Sequence, residues 1–355
     1  MKTAILTFQE SYNNGALLQA YALQTVLTEL SNERCDILNY RCPYKQAQYS
    51  GRFNKNLLVY INKTISRRIQ NEIKKKADSF RDKYLNITNK IYSSSIEMTE
   101  LNNRYDKFFC GSDQIWNPFN TGGDETYFLN FVEDSKKIAS YAPSIAISNI
   151  PPQFNNMFIK NINRFRHLSI REKSGQKLDP TLLLNKEEWN QIKQPINNGK
   201  PYIFVYYISY LPQLIKFAKE LKRETGLEVV VAVKTVRDYV TCILHGFTAR
   251  IISPNEFVGG IADANYIVTN SFHGTVFSVN YEKEFFAFGN KKGLAKGNSR
   301  IMDFLDLLGL SERFNIDTKS IKEFLMKPVE YKEVKKKLSI EKEKSLSYIK
   351  SALLD

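Results

Sequence analysis

Four side chains stand where chemistry on a small anion is feasible: His273, Asp113, Arg171 and Arg300. The chain has only three histidines. His167 is embedded in a strand-like run, and His245 sits in an ordinary Leu-His-Gly turn, so both read as structural. His273 differs, because it follows the apolar run Tyr266-Ile267-Val268-Thr269 and opens a helix. A strand end joined to a helix start favours anions through exposed backbone N–H groups, and an imidazole there is placed for proton transfer. Asp113 follows a strand and a Gly-Ser turn. It suits either a helix N-cap or a general base for a hydroxyl. Arg171, at another strand end, suits a surface ion pair or a two-pronged clamp on carboxylate or phosphate. Arg300 follows the Gly-, Lys- and Asn-rich stretch Gly289 to Ser299 and begins a helical run. It suits a closing cation or a plain surface role.

The elements that must position these groups alternate β and α. Strand Thr3 to Phe8, loop Gln9 to Gly15, helix Ala16 to Leu30 and strand Cys35 to Tyr40 form the first unit. Asn in Asn13-Asn14-Gly15 is a good N-cap, and Gly15 permits close backbone approach by a ligand. Strands Tyr105 to Cys110, Lys137 to Tyr141 and His167 to Glu172 each end in a polar turn. The polar segment Glu187 to Pro201 reads as a linker. The pattern restarts with strand Tyr202 to Ile208, helix Leu211 to Thr225 and strand Glu228 to Lys234. A helix near Asn255 to Asp263, strand Tyr266 to Thr269 and strand Glu284 to Phe288 follow, with a Lys-rich helical tail beyond Thr318. In open parallel sheets ligands bind at the carboxyl ends of strands. The expected architecture is therefore α/β and GT-B-like, with two Rossmann-like domains, 1–195 and 196–355, a cleft between them and a helical C-terminal tail.

Composition bounds the function. The 355 residues are 43% hydrophobic and 25% charged, a globular mix long enough for two domains. Net charge is +14, which favours anionic partners. Residues 51–90 carry eleven Lys/Arg against three Asp/Glu, with isoleucines at 61, 65, 69 and 73. That stretch reads as a basic helical insertion, either packed on the first domain with a solvated face or touching an anionic membrane surface or polymer. The four cysteines show neither C-x-x-C pairs nor zinc spacing and read as free thiols. No signal-peptide pattern or membrane-length apolar run appears, so a cytoplasmic protein is expected, peripheral at most to the inner membrane face. Walker A, G-x-G-x-x-G, H-E-x-x-H, G-x-S-x-G and nucleic-acid motifs are all missing.

Taken in order, the motifs resemble the polysaccharide pyruvyl transferase family. They are Asn13-Asn14-Gly15-Ala16 with Leu18 to Gln24, Gly111-Ser112-Asp113-Gln114-Ile115-Trp116-Asn117, Tyr141-Ala142-Pro143-Ser144, Arg171-Glu172-Lys173-Ser174-Gly175, Asp179-Pro180-Thr181-Leu182, Thr269 to Ser278 around His273, and Ser299-Arg300-Ile301. The resemblance implies a GT-B-like fold and transfer of pyruvyl from phosphoenolpyruvate to two sugar hydroxyls as a cyclic ketal. It implies no cofactor and no metal, with a sugar or lipid-linked oligosaccharide as acceptor and no nucleic acid. His273 and Asp113 would be catalytic. Asn14, Gly15, Ser112, Arg171, Lys173, Ser271, Gly274 and Arg300 would bind substrate. The chain departs from the family at Ser271, where many relatives place an arginine two residues before the histidine. Arg300, or a lysine of Lys291-Lys292, would have to replace that cation. The competing readings are a GT-B glycosyltransferase using a nucleotide sugar, with Asp263 or Glu256 on the ribose, and a non-catalytic anionic-glycan binder.

Overall fold

The computed structural model describes residues 1–49, 57–147, 149–172, 175–289 and 298–355. In chain order, β1 (Thr3–Leu6), α1 (Asn14–Ser31), β2 (Asp36–Ile37), α2 (Pro43–Tyr49) and α3 (Leu57–Tyr84) come first. Then follow β3 (Lys107–Asp113), α4 (Pro118–Thr121), β4 (Ile138–Pro143), α5 (Pro152–Ile162) and α6 (Lys186–Asn190). The second run comprises β5 (Tyr202–Tyr206), α7 (Pro212–Thr225), β6 (Glu228–Ala232), α8 (Val236–His245), β7 (Thr248–Arg250) and α9 (Pro254–Ala262). It continues with β8 (Tyr266–Thr269), α10 (Phe272–Asn280), β9 (Glu284–Ala287), α11 (Asn298–Leu308), α12 (Ile321–Met326) and α13 (Tyr331–Leu354).

Two separate parallel sheets result, ordered β2-β1-β3-β4 and β7-β6-β5-β8-β9. Their inner strands read as largely apolar runs, as expected of parallel strands buried on both faces. Phe108, Phe109, Ile203, Phe204 and Val205 are wholly buried. In each sheet the chain builds outward to one side, then returns to the other side of the first strand. That reversal falls between β1 and β3 in one sheet and between β5 and β8 in the other. Such a switch point opens a crevice at the carboxyl ends of the strands.

The chain divides into two compact units, 1–53 with 81–184 and 339–355, and 54–80 with 185–338. This differs from the expected split at 195 in three places. The polar stretch 187–201 is no loose linker. An Asn185–Glu188 capping box starts α6, Trp189 is wholly buried 4.8 Å from the Phe277 ring, and Asn255 Nδ2 donates to the Ile192 carbonyl at 2.6 Å. Residues 51–56 of the basic segment lie outside the described residues; within it α3 is one long helix, Leu57–Tyr84, and residues 57–80 fall with the second unit. Ile69, Ala77 and Phe80 form its buried face, Lys76 pairs with Glu256 at 2.6 Å, and Gln70 donates to the Lys234 carbonyl. The tail helix α13 returns its last residues to the first unit.

The expected strand 167–172 is also not formed; only isolated bridges at His167 and Ile170 remain. Two serines explain it. Ser140 and Ser169 exchange side-chain and backbone hydrogen bonds at 2.8 Å, and Ser169 Oγ accepts from Ala142 N at 3.0 Å. Hydroxyls thus take over bonds that a backbone ladder would otherwise make. All four cysteines are buried free thiols, and burial pushes Cys35 up to about 12 and Cys242 to about 11.

Candidate active site

At the carboxyl rim of the first sheet, the loop after β1 leads into α1, which Asn13 caps by accepting from Gly15 N at 2.9 Å. Asn14 and Gly15 are buried in its first turn. Gln19, one turn on, ties two loops together: its Nε2 donates to Thr7 Oγ1 at 2.9 Å and its Oε1 accepts from Ser112 N at 3.0 Å. Gly111 has φ +127°, and a Cβ there would lie 2.1 Å from the Tyr141 carbonyl. Only glycine fits that crossing of β3 and β4.

Ser112 was expected to bind substrate. Its hydroxyl instead donates to the Ala142 carbonyl at 2.7 Å and accepts from Arg171 Nη2 at 2.5 Å. It is wholly buried, and these bonds brace the rim. Arg171 is likewise drawn inward. It is 5% exposed and pairs through Nη2 with Asp179 Oδ2 at 2.8 Å. Asp179 Oδ1 in turn accepts from Thr181 N and Oγ1 at 3.0 and 2.6 Å. Lys173 lies outside the described residues.

Asp113 keeps its candidacy. It ends β3 with φ 66°, in the left-handed region, a conformation that non-glycine residues hold at a cost and that clusters at functional sites. It caps no helix; Asn117 caps the next one. Its carboxylate makes no hydrogen bond or ion pair among the described residues. Its charge, with that of Glu10, opposes the burial that lowers the Lys45 amine. Lys45 sits 3.4 Å from the Phe8 ring centroid, and Glu10 is held by Arg41 at 2.9 Å and Gln46 at 2.6 Å. This Glu10–Lys45 cluster beside Asp113 has no sequence signature, because its members come from the loop after β1 and from the start of α2 with no shared motif. Glu172 escaped the sequence reading too. Its Oε1 accepts from Ser144 Oγ at 2.7 Å and from Ile145 N and Ala146 N at 3.0 Å, fixing the loop after β4.

At the second sheet's switch point, Thr269 Oγ1 donates to the Tyr206 carbonyl at 2.6 Å and accepts from Ser271 N at 3.0 Å. Ser271 is the N-cap of α10 and accepts from Gly274 N at 3.2 Å. A serine at this position satisfies the helix end, as an arginine could not. His273 stands in the first turn of α10, 7% exposed, with its ring 5.5 Å from that of Phe272. Arg300, in the first turn of α11, places its guanidinium 5.4 Å from the Phe272 ring centroid. A cation thus reaches the histidine's turn from another helix. Lys291 and Lys292 lie outside the described residues.

Gly274 lets α10 lie against β8, since a Cβ there would fall 2.3 Å from Thr269 Oγ1. Gly274→Ala is therefore expected to push the first turn of α10 off the strand. Its cost is about 1–3 kcal/mol, typical of overpacking, together with a loss of activity larger than that destabilisation explains. Wild-type turnover in a Gly274→Ala protein would refute the tight seating of His273.

Among the described residues no group of three or more His, Cys, Asp or Glu could hold a metal ion, and no helix is long and apolar enough to cross a membrane. A cavity of about 790 Å³ opens at the opposite, amino-terminal rim of the first sheet, lined by Lys2, Arg34, Asp36, Lys90 and Arg104 among others. It holds the Arg34–Asp36 ion pair at 3.3 Å and contains none of the candidate residues.

Two parallel-sheet α/β domains with a helical tail make this a GT-B-like protein. The fold is shared with a UDP-GlcNAc 2-epimerase from Neisseria meningitidis bound to UDP-GlcNAc, at 10% identity over 100% of both chains and a TM-score of 0.52. It is shared too with S. aureus MnaA in a UDP co-structure, at 12% identity over 99% of this chain and 97% of that one, TM-score 0.50. At such identities the likeness concerns fold alone. No curated protein sequence matches the chain. The polysaccharide pyruvyl transferase family model matches residues 13–292. The chain belongs to that family and is a transferase of polysaccharide biosynthesis.

Proposed function

We propose that the protein transfers the pyruvyl group of phosphoenolpyruvate to two hydroxyls of a sugar or lipid-linked oligosaccharide, forming a cyclic ketal and releasing phosphate. The observation that carries this reading is the pairing of His273 with Arg300 around Phe272, inside the stretch the family model matches. The donor bears a carboxylate and a phosphate, so it needs a cation that stays charged, and arginine supplies one. Arg300 fills the place left by Ser271.

In the reaction His273 delivers a proton to the donor's methylene carbon, which becomes the methyl group. The cation left at the adjacent carbon is attacked by one sugar hydroxyl, which gives up its proton. Phosphate then leaves and the second hydroxyl closes the ring. Of the two hydroxyl protons, one is accounted for in the methyl group and one in the released phosphate. This chemistry asks for acid–base groups and a fixed cation.

A nucleotide-sugar donor is the competing reading. It asks for a carboxylate on the ribose, and both candidates are engaged elsewhere. Glu256 caps Ser253 N at 2.7 Å and pairs with Lys76; Asp263 pairs with Lys193 at 2.7 Å. A thermal-shift comparison separates the readings, since a ligand that binds only the native state at a hundred times its Kd adds about 2.7 kcal/mol. Phosphoenolpyruvate is expected to raise the melting temperature, whereas UDP and GDP are not. Stabilisation by a nucleotide alone would replace this proposal with a glycosyltransferase. Binding of phosphoenolpyruvate with no phosphate release on any acceptor would leave a binding protein.

A further inference from the structure

Helix α8 turns an apolar face outward. Ile243 is 79% exposed, Leu244 75% and Val240 48%. All three share one side of the helix, since residues three and four apart are neighbours there. Scattered exposed apolar residues are ordinary; this triplet is contiguous. In the same unit, the segment after β5 exposes Ile208 and Tyr210, and Arg237 lies 5.4 Å from the Tyr210 ring centroid. The inward side of α8 is fixed without help from the triplet. Thr235 and Asp238 form a capping box, Tyr207 donates to Asp238 at 2.8 Å, and Cys242 is buried.

Helix α3 adjoins the same region. Gln70 bonds to the carbonyl of Lys234, just before α8, at 3.1 Å, and the charge of Glu72 acts on Tyr239 of α8. The outward side of α3 carries Arg67, Arg68, Lys74 and Lys75, all exposed. Lys74 pairs with Asp78 at 3.1 Å. Arg67, Arg68 and Lys75 make no ion pair among the described residues. An apolar wedge beside unpaired cations is the surface complement of one environment, a bilayer with anionic headgroups: the side chains enter the interface while the cations meet the phosphates. A second copy of the chain offers the wrong charge, because a two-fold contact would bring the same arginines toward one another.

We propose that the outward faces of α8 and α3 form a docking surface for an anionic lipid membrane. The test is co-sedimentation of the full chain with phosphatidylcholine vesicles, with and without phosphatidylglycerol, at low and high salt. Binding is expected only to vesicles containing phosphatidylglycerol, and salt should weaken it. Ile243→Ser with Leu244→Ser should reduce binding by about tenfold or more, and Arg67→Gln with Arg68→Gln by roughly fivefold per cation. Both double variants should melt like the wild type, because the replaced side chains are exposed; if one fails to fold, the other carries the test. Equal binding to neutral and anionic vesicles would overturn the proposal, as would wild-type binding by either folded variant. So would a concentration-dependent dimer that the Ile243→Ser, Leu244→Ser protein loses while its vesicle binding stays unchanged. None of these readouts depends on turnover, so the docking surface stands or falls apart from the donor assignment.

Discussion

Replacing His273 with alanine is expected to lower phosphate release from phosphoenolpyruvate about 10²- to 10⁴-fold, the usual contribution of a positioned acid or base. The protein should stay folded. The ring is buried, but the first turn of α10 is held by Ser271 and by the seating of Gly274 on Thr269, and these survive the change. Arg300→Ala should act differently. It removes the α11 cation that reaches Phe272 and leaves the proposed proton donor in place, so donor binding should weaken before the chemical step slows. Phosphate release under saturating and limiting donor separates the two, with a melting curve to certify folding. Near-normal turnover by a folded His273→Ala protein would take the imidazole out of the mechanism and leave Arg300 as the principal group.

Arg171→Ala is expected to act first on stability, by about 3–5 kcal/mol, because it strands a buried carboxylate. Asp179 has no exposed side-chain surface, and its second oxygen already holds the turn at Thr181. The same guanidinium braces Ser112, and the Arg171 amide donates to the Pro143 carbonyl at 3.0 Å. Removing the side chain therefore loosens the ends of β3 and β4 together. Changing both partners, Arg171→Met with Asp179→Leu, should cost less than Arg171→Ala alone, since no uncompensated charge remains buried. The measurement is a denaturant-unfolding series on the single and double variants. An Arg171→Ala protein of wild-type stability that binds phosphoenolpyruvate weakly would restore the clamp role that the sequence suggested.

The alternation of apolar runs with helical periods located both sheets, because parallel strands buried on two faces leave a strong local signature. Strand Tyr266–Thr269 falls where the pattern puts it, and helix α7 starts within a residue of expectation. The α8–β7 pair between Lys234 and Asn255 passed unread; α8 is amphipathic, but the apolar side carrying Val240, Ile243 and Leu244 is the exposed one. The split between units was also hidden. Where α3 packs is decided by Lys76–Glu256 and Gln70–Lys234, contacts between residues more than 160 positions apart. At the candidate site, residue type and position suggested His273, Asp113, Arg300, Arg171 and Ser112 alike. Sequence position alone does not show that the Arg171 side chain turns toward Asp179 and Ser112.

The return of α13 to the first unit has a consequence for synthesis. Tyr348 donates to the Ser140 carbonyl at 2.8 Å, Ser345 accepts from Leu178 N at 3.2 Å, and Ile349 and Ala352 are wholly buried. The chain emerges from the ribosome amino end first, so residues 54–338 are all made before the first unit receives these last pieces of its core. The unit that begins the chain therefore stays incomplete until these residues have been made. Until residues 345–353 are released, the apolar surface they cover stays open to solvent and to chaperones.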